Sequence, residues 1–192
     1  DDSALFTKSK EKIITINGHK NNLKITDKID LNNFSILKKG NIFNGLGFDI
    51  HKLVKGRKLY LGGINIPFRL GLQGHSDADP VLHAVIDGLL GASKLGDIGK
   101  LFSDKNKKYK NIRSTKLLKK TIEIINYKKF FINNIDINII AEKPKINKFK
   151  NKMINKISKI CKIKTNQINI KGKTTEKLGL IGKEKAIACE VI

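Results

Sequence analysis

The sequence has no tryptophan, two cysteines, three prolines and three arginines. It also has no hydrophobic run near the roughly 18 residues that a membrane-spanning helix needs. Cys161 and Cys189 are too few for a disulfide framework, which excludes a secreted cystine-rich scaffold. Three prolines and 16 glycines exclude collagen-like and proline-rich chains. What is left is a chain of 192 residues, 40% of them hydrophobic. That is enough for one domain that buries a core unaided, with room for an appendage.

Charge is abundant and of one sign: 39 Lys+Arg against 17 Asp+Glu, a net +22. Such a balance points first to a nucleic acid or an anionic surface. The kind of cation argues otherwise. Only Arg57, Arg69 and Arg113 carry the planar fork suited to phosphates and bases, and the remaining 36 basic residues are lysines. The lysines are spread through every segment alongside asparagine and isoleucine, the pattern of a solvated basic surface. That surface still draws in anionic substrates by long-range steering, more weakly as salt rises.

Residues 1–41 are polar, with one apolar patch at Ile13, Ile14 and Ile16. They read as a lysine- and asparagine-rich arm or leader remnant without chemistry of its own. Residues 42–192 read as a single domain. Phe43 to Leu53 is expected to be a strand, with Phe48 and Ile50 on one face and Asp49 and His51 on the other. A hairpin is expected to turn at Gly62-Gly63. Asp79 and Pro80 open a helix with the stripe Val81, Leu82, Val85, Ile86, Leu89 and Leu90, followed by a turn at GDIG. Ser114 is expected to cap a second helix, and Phe149, Met153, Ile157 and Ile160 mark a third. Ile135 to Ile139, Ile168 to Ile170 and Ala186 to Ile192 read as strands. Strands alternating with helices predict an α/β (α+β) sandwich, a mixed sheet with one layer of helices.

Four clusters carry chemistry. Asp49 and His51, two apart on a strand, share a face. His83 lies on the flank of the first helix's apolar stripe, and Asp87 follows one turn later, placed to fix the His83 ring. Two imidazoles and a carboxylate suffice to hold Zn²⁺ with one position open, although on spacing alone surface or capping histidines are the better reading. Gly74 to Asp79 (GHSDAD) sets polar side chains ahead of a helix N-terminus, an anion-ready pocket or simply a cap. Lys173 to Gly179 (KTTEKLG) offers hydroxyls and N–H groups to phosphate, and Glu176 there points to a bridging Mg²⁺; a capped turn is the plainer alternative. Ala141 to Lys145 is a strand end followed by a basic loop.

Taken in order, GFDIH, LGGINIP, HSDADPVLHAVIDGLLGA with LGDIGKLFSD, AEKPKI, KTTEKLG and IACE resemble the 2-C-methyl-D-erythritol 2,4-cyclodiphosphate synthase family. The resemblance runs from about Gly45 to Glu190. It implies a homotrimeric lyase of non-mevalonate isoprenoid biosynthesis, with active sites between subunits. Such an enzyme closes 4-diphosphocytidyl-2-C-methyl-D-erythritol 2-phosphate into a cyclic diphosphate and releases CMP.

By that resemblance Asp49, His51 and His83 are the Zn²⁺ ligands, Asp49 and His51 also facing substrate, and Glu176 is a ligand of Mg²⁺ or Mn²⁺. His75 and Thr174 are implied to stabilise the transition state, with Ser76 beside His75. Asp97, Ile98 and Gly99 would hold the methylerythritol hydroxyls. Phe102, Ser103, Asp104, Lys105 and Asn106 would form the neighbouring substrate loop. Ala141, Glu142, Lys143, Pro144, Lys145, Ile146 and Asn147 would receive cytidine. Lys173, Thr175, Leu180 and Lys183 complete the implied contacts. Three positions depart from the family's habit: Lys173 for a threonine, Leu180 for an aromatic, and Lys183 for an arginine, which removes a bidentate fork.

Two other readings remain at the level of sequence. One is a zinc phosphohydrolase that uses the same three ligands and a water nucleophile. The other is a lysine-rich nucleic-acid binder, disfavoured by the lack of an arginine cluster and of interleaved aromatics. The two cysteines fit a reducing compartment: a plastid for a eukaryotic chain, the cytoplasm for a bacterial one.

Overall fold

In a computed structural model, which describes residues 26–29, 41–103 and 106–192, the pattern of alternation resolves into a five-stranded sheet and a short hairpin. Most of the expected arm, residues 1–41, lies outside the described residues, as do Asp104 and Lys105. Residues 43–192 make up one compact unit.

The strands are β1 (Gly47–Val54), β2 (Leu59–Leu61), β3 (Ile64–Ile66), β4 (Gly71–Leu72), β5 (Ile135–Ile140), β6 (Ile168–Lys173) and β7 (Ala186–Val191). The large sheet runs β4-β1-β7-β5-β6. Its pairs are antiparallel except β5 with β6, so the sheet is mixed as expected. The helices are α1 (Pro80–Ala92), α2 (Ile98–Leu101), α3 (Ser114–Tyr127), α4 (Lys150–Cys161) and α5 (Gly179–Gly182). Helix α1 lies across β1 and β7, α4 lies on β6, and α3 packs against both helices. Leu82, Val85 and Ile86 of α1 meet Ile137, Ile139, Ile187 and Cys189 in one buried core. Helix α4 is the crossover of the parallel pair β5–β6, the connection such a pair requires.

Period-two alternation holds along β1. Asp49 and His51 face the helices, while Phe48 and Ile50 face outward, 54% and 45% exposed. The strand begins later than expected. Phe43 to Leu46 do not pair, because the chain there is pressed against α1. A methyl group on Gly47 would sit 1.8 Å from the Ala84 carbonyl oxygen, so only glycine permits this approach. The hairpin turns at Gly62-Gly63 as expected, with Leu61 opposite Ile64.

Asp79 caps α1 as its sequence position predicts, and does more. Its Oδ1 accepts from the Val81, Leu82 and Gly62 N–H groups (3.1, 3.2 and 2.9 Å), and Oδ2 accepts from the Gly63 N–H (2.6 Å). One buried carboxylate thus ties the helix to the hairpin turn. Burial and the neighbouring Asp77 charge push this carboxyl up to about 6, against the pull of the Gly63 and Leu82 N–H groups. Two other local expectations change. Arg113, not Ser114, occupies the cap position of α3, and the Ser114 side chain turns to Asp77. GDIG is not a bare turn, since Asp97 caps the short helix α2 through the Lys100 N–H (2.8 Å).

Asp79→Ala would strand four buried N–H groups. We expect a loss of about 3 kcal/mol, lowering the melting temperature by roughly 6–12 °C in a thermal melt.

Candidate functional site

The seat of α1 on β1 brings three side chains to one point. Asp49 and His51 reach inward from β1, and His83 comes from the first turn of α1. Asp49 Oδ2 lies 2.9 Å from His51 Nε2 and 2.9 Å from His83 Nδ1, and the two ring nitrogens are 3.2 Å apart. The three ligand atoms fall within 4.8 Å of one another. Among the described residues this is the one such group. Two imidazole nitrogens and a carboxylate oxygen fit a divalent cation of the borderline, zinc-like kind, with room for a further ligand.

The electrostatics agree with that fit. Burial alone would raise the Asp49 carboxyl, but hydrogen bonds and charge from His51 and His83 hold it well below the usual range. Burial pulls His83 down, yet Asp49, with Asp79 and Asp77 behind it, more than offsets this and raises it.

His83 is gripped from behind. Its Nε2 lies 2.8 Å from Ser114 Oγ and 3.2 Å from Ser76 Oγ. The Ser114 hydroxyl donates to Asp77 Oδ1, which also accepts the Ser114 N–H at 3.0 Å. Asp77 Oδ2 pairs with Arg113 Nε at 2.7 Å, and the Arg113 guanidinium stacks 3.8 Å over the Tyr60 ring. Asp87, expected to orient the His83 ring, does not do so. Its Oδ1 accepts the Ile98 N–H at 2.7 Å and anchors the start of α2. Burial, and then the charges of Asp97 and Asp49, raise the Asp87 carboxyl against the Ile98 N–H that it accepts.

The GHSDAD loop is braced from outside the motif. Arg57 donates to the Gly74 and Ser76 carbonyls at 3.1 and 2.6 Å. Ser76 is buried, accepts the Ala78 N–H at 3.1 Å and lies 3.2 Å from His83 Nε2, so its hydroxyl sits behind the His83 ring. The His75 carbonyl accepts the Asn111 N–H at 2.8 Å, and His75 Nε2 is buried with no hydrogen-bond partner among the described residues. Sequence reasoning missed Ser114, Asp77, Arg57 and Arg113. The available signal was that capping explains Asp79 but leaves Asp77 without a task.

The remaining predicted residues gather in two places. Asp97 caps α2, Ile98 and Gly99 open it, and the Ile98 N–H ties this end to Asp87 of α1. Phe102 is buried and meets Tyr109 edge-on at 5.5 Å, Ser103 follows it, and Asn106 accepts the Lys108 N–H through its side chain at 3.0 Å. The second place is the C-terminal end of the parallel pair β5–β6, where such sheets hold ligands. The Ala141 N–H donates to the Lys173 carbonyl at 2.9 Å, and Lys143 Nζ pairs with Glu184 at 3.1 Å. Pro144 and Lys145 lead into a short turn of helix in which Ile146 is buried and Asn147 exposed. Glu142 Oε2 lies 3.4 Å from the Lys177 N–H that donates to it. Thr174 Oγ1 donates to Glu176 Oε1 at 2.7 Å, and Thr175 Oγ1 to the Leu178 carbonyl at 2.8 Å. Leu180, 62% exposed, and Lys183 lie in and just after α5. Within one chain Glu176 does not join the Asp49, His51 and His83 group.

A cation entering this group must displace the proton that Asp49 helps His83 to keep. More protons should be released per cation bound at pH 6 than at pH 9. Calorimetric titration of metal-free protein in buffers of different ionisation enthalpy measures this.

Residues 42–192 match the YgbB family. The whole chain is 58% identical to the bifunctional enzyme IspD/IspF of Pelagibacter ubique and spans 50% of that protein. Over 148 residues, 77% of this chain, it is 49% identical to the 2-C-methyl-D-erythritol 2,4-cyclodiphosphate synthase of Caldicellulosiruptor bescii and covers 94% of it. Among solved structures, the bifunctional IspDF of Campylobacter jejuni superimposes with TM-score 0.75 at 38% identity, over 100% of this chain and 52% of that one. The CDP complex of IspF from Plasmodium falciparum gives TM-score 0.69 at 40% identity, over 78% and 92%. The chain spans about half the length of its bifunctional relatives. By sequence match and by fold, the chain belongs to the YgbB family.

Proposed function

We propose that this chain converts 4-diphosphocytidyl-2-C-methyl-D-erythritol 2-phosphate into 2-C-methyl-D-erythritol 2,4-cyclodiphosphate and CMP. The observation that carries the reading is the convergence of Asp49, His51 and His83 within 4.8 Å, in a chain 49% identical to a synthase of that name.

The substrate brings its own nucleophile. Its 2-phosphate attacks the β-phosphorus of the cytidine diphosphate, and CMP departs with the bridging oxygen. Positioning and charge neutralisation are then the protein's whole task. A zinc-like cation held by Asp49, His51 and His83, and Mg²⁺ or Mn²⁺ held by Glu176, supply positive charge against the diphosphate when bound. Glu176 offers one exposed carboxylate, which suits a cation that keeps its waters and takes substrate phosphates. His75 donates to a phosphate oxygen, and Thr174 does so when its hydroxyl turns from Glu176 to the substrate. Asp97, with Ile98 and Gly99, holds the diol, and Phe102, Ser103 and Asn106 wall it. Ala141 to Asn147 receive the cytosine and ribose; the CDP-bound relative supports a cytidine ligand for this fold. Lys173, Thr175, Leu180 and Lys183 line the approach.

Three copies with sites between subunits complete the reading. It is supported by the exposed Phe48 and Ile50 on the outer sheet face and by the separation of Glu176 from the other ligands. We assign the enzyme to a bacterial cytoplasm over a plastid, supported by its bacterial relatives. Among the described residues no helix is long and apolar enough to cross a membrane.

Incubation with the cytidine-linked substrate should yield CMP and the cyclic diphosphate. Inorganic phosphate in place of CMP would establish a phosphohydrolase instead. His83→Ala should lower turnover at least about 100-fold with the circular dichroism unchanged. Glu176→Gln should raise the Mg²⁺ needed for half-maximal rate while leaving bound zinc, measured by elemental analysis, at its wild-type level.

A further inference from the structure

The reading that Asp49, His51 and His83 hold a cation leaves open what keeps the His83 ring in the one form that can do so. Nδ1 faces the cluster, so a cation requires the Nδ1 lone pair there and the ring proton on Nε2. Nε2–H then needs an acceptor behind the ring, in a buried place where an unpaired donor is costly.

We propose that Ser114, oriented by Asp77, is that acceptor and acts as the positioning residue of the metal centre. A serine hydroxyl has one proton to give. Here it goes to Asp77 Oδ1, which is fixed by the Ser114 N–H and, through Oδ2, by Arg113. With its proton committed, Ser114 Oγ meets Nε2 only as an acceptor, at 2.8 Å. The Nδ1 lone pair is thereby turned to Asp49 and His51. Ser76 Oγ is the longer partner at 3.2 Å and already accepts the Ala78 N–H. Asp87 cannot take this part, since it is bound to the start of α2. The arrangement is a carboxylate acting through a hydroxyl, in the place where metal-bound histidines usually meet a carboxylate or carbonyl directly. Asp77 and Ser114 are 37 residues apart, brought together because the GHSDAD loop and the first residue of α3 pack side by side.

The test uses Co²⁺, whose visible absorption reports both affinity and ligand geometry, with no substrate present. Wild-type protein should bind one Co²⁺ with a spectrum that His83→Ala abolishes. Ser114→Ala should weaken Co²⁺ binding by about 10–100-fold and alter the band shape, with the metal-free melt showing a folded protein. Ser114→Thr, which keeps the hydroxyl, should restore affinity to within about threefold of wild type. Asp77→Asn, which leaves Ser114 in place but removes the carboxylate, should weaken binding by a smaller factor, about three- to tenfold. Wild-type affinity and spectrum in both Ser114→Ala and Asp77→Asn would overturn the proposal. A wild-type cobalt spectrum indifferent to His83→Ala would overturn the metal reading beneath it, and is told apart by that control.

Discussion

Helix α1 lies so close to β1 that a methyl group on Gly47 would meet the Ala84 carbonyl oxygen at 1.8 Å, and one on Gly45 the Gly88 oxygen at 1.9 Å. Backbone therefore rests on backbone, and side chains at the contact's edge have little freedom. His83, one turn into α1, is carried to within a hydrogen bond of residues on β1. Asp79 locks the same helix at its start to the Gly62-Gly63 turn, so α1 can neither slide nor rotate without stranding buried N–H groups. A three-ligand site tolerates errors of only a few tenths of an ångström, and this rigid crossing supplies that tolerance.

Around it the charges are arranged against the trend of the chain. The protein carries +22 overall, yet beside α1 it holds the buried Asp77 and Asp79 and the half-buried Asp49. Three carboxylates so near one another would repel unless each were assigned partners. Asp49 has the two imidazoles, Asp79 has four N–H groups, and Asp77 has Ser114 and Arg113. Two of the three arginines, Arg57 and Arg113, are spent on bracing this one loop, where a planar fork reaches two carbonyls, or a carboxylate and a ring, at once. Among the described residues no lysine is buried, and a strongly hydrated point charge costs nothing to leave in water. Scarcity of arginine in the composition is thus matched by its concentration where geometry has to be fixed.

Much of this was legible in the sequence. Alternation placed Asp49 and His51 on one face of a strand, and the Asp79-Pro80 pair marked the start of α1, because both are local rules of backbone geometry. The motif order carried the family. The partner of His83 was not legible: Asp87, one helical turn away, was the obvious choice by spacing, whereas Ser114 is 31 residues distant and reaches the ring only through tertiary packing. Ser114 was hidden for a second reason, since a serine before a helical run reads as a cap, and local chemistry gives no hint that a buried carboxylate will claim it. The late start of β1 failed for a like cause. Asn44 and Gly45 are poor strand formers, and the close approach of Gly45 to α1 takes the backbone away from the sheet.

The turn after β6 is held in shape by its own side chains. Glu176 and Lys177 are consecutive and both left-handed, at φ 49° and 65°. Each costs about 1 kcal/mol or more for a residue with a side chain, and a plain turn would avoid this with glycine or asparagine. The strain is held by the Thr174–Glu176 and Thr175–Leu178 hydrogen bonds and by Glu142 reaching the Lys177 N–H. The result is an exposed carboxylate beside a hydroxyl, at the mouth of the parallel pair and next to the basic loop that starts at Ala141. Six other non-glycine residues share this left-handed backbone, Lys94 and Lys129 among them, so the strain marks a tightly held turn and not by itself a ligand site. Under the proposed function it is the exposed Glu176 carboxylate, set beside the basic loop, that would serve a hydrated cation and a phosphate.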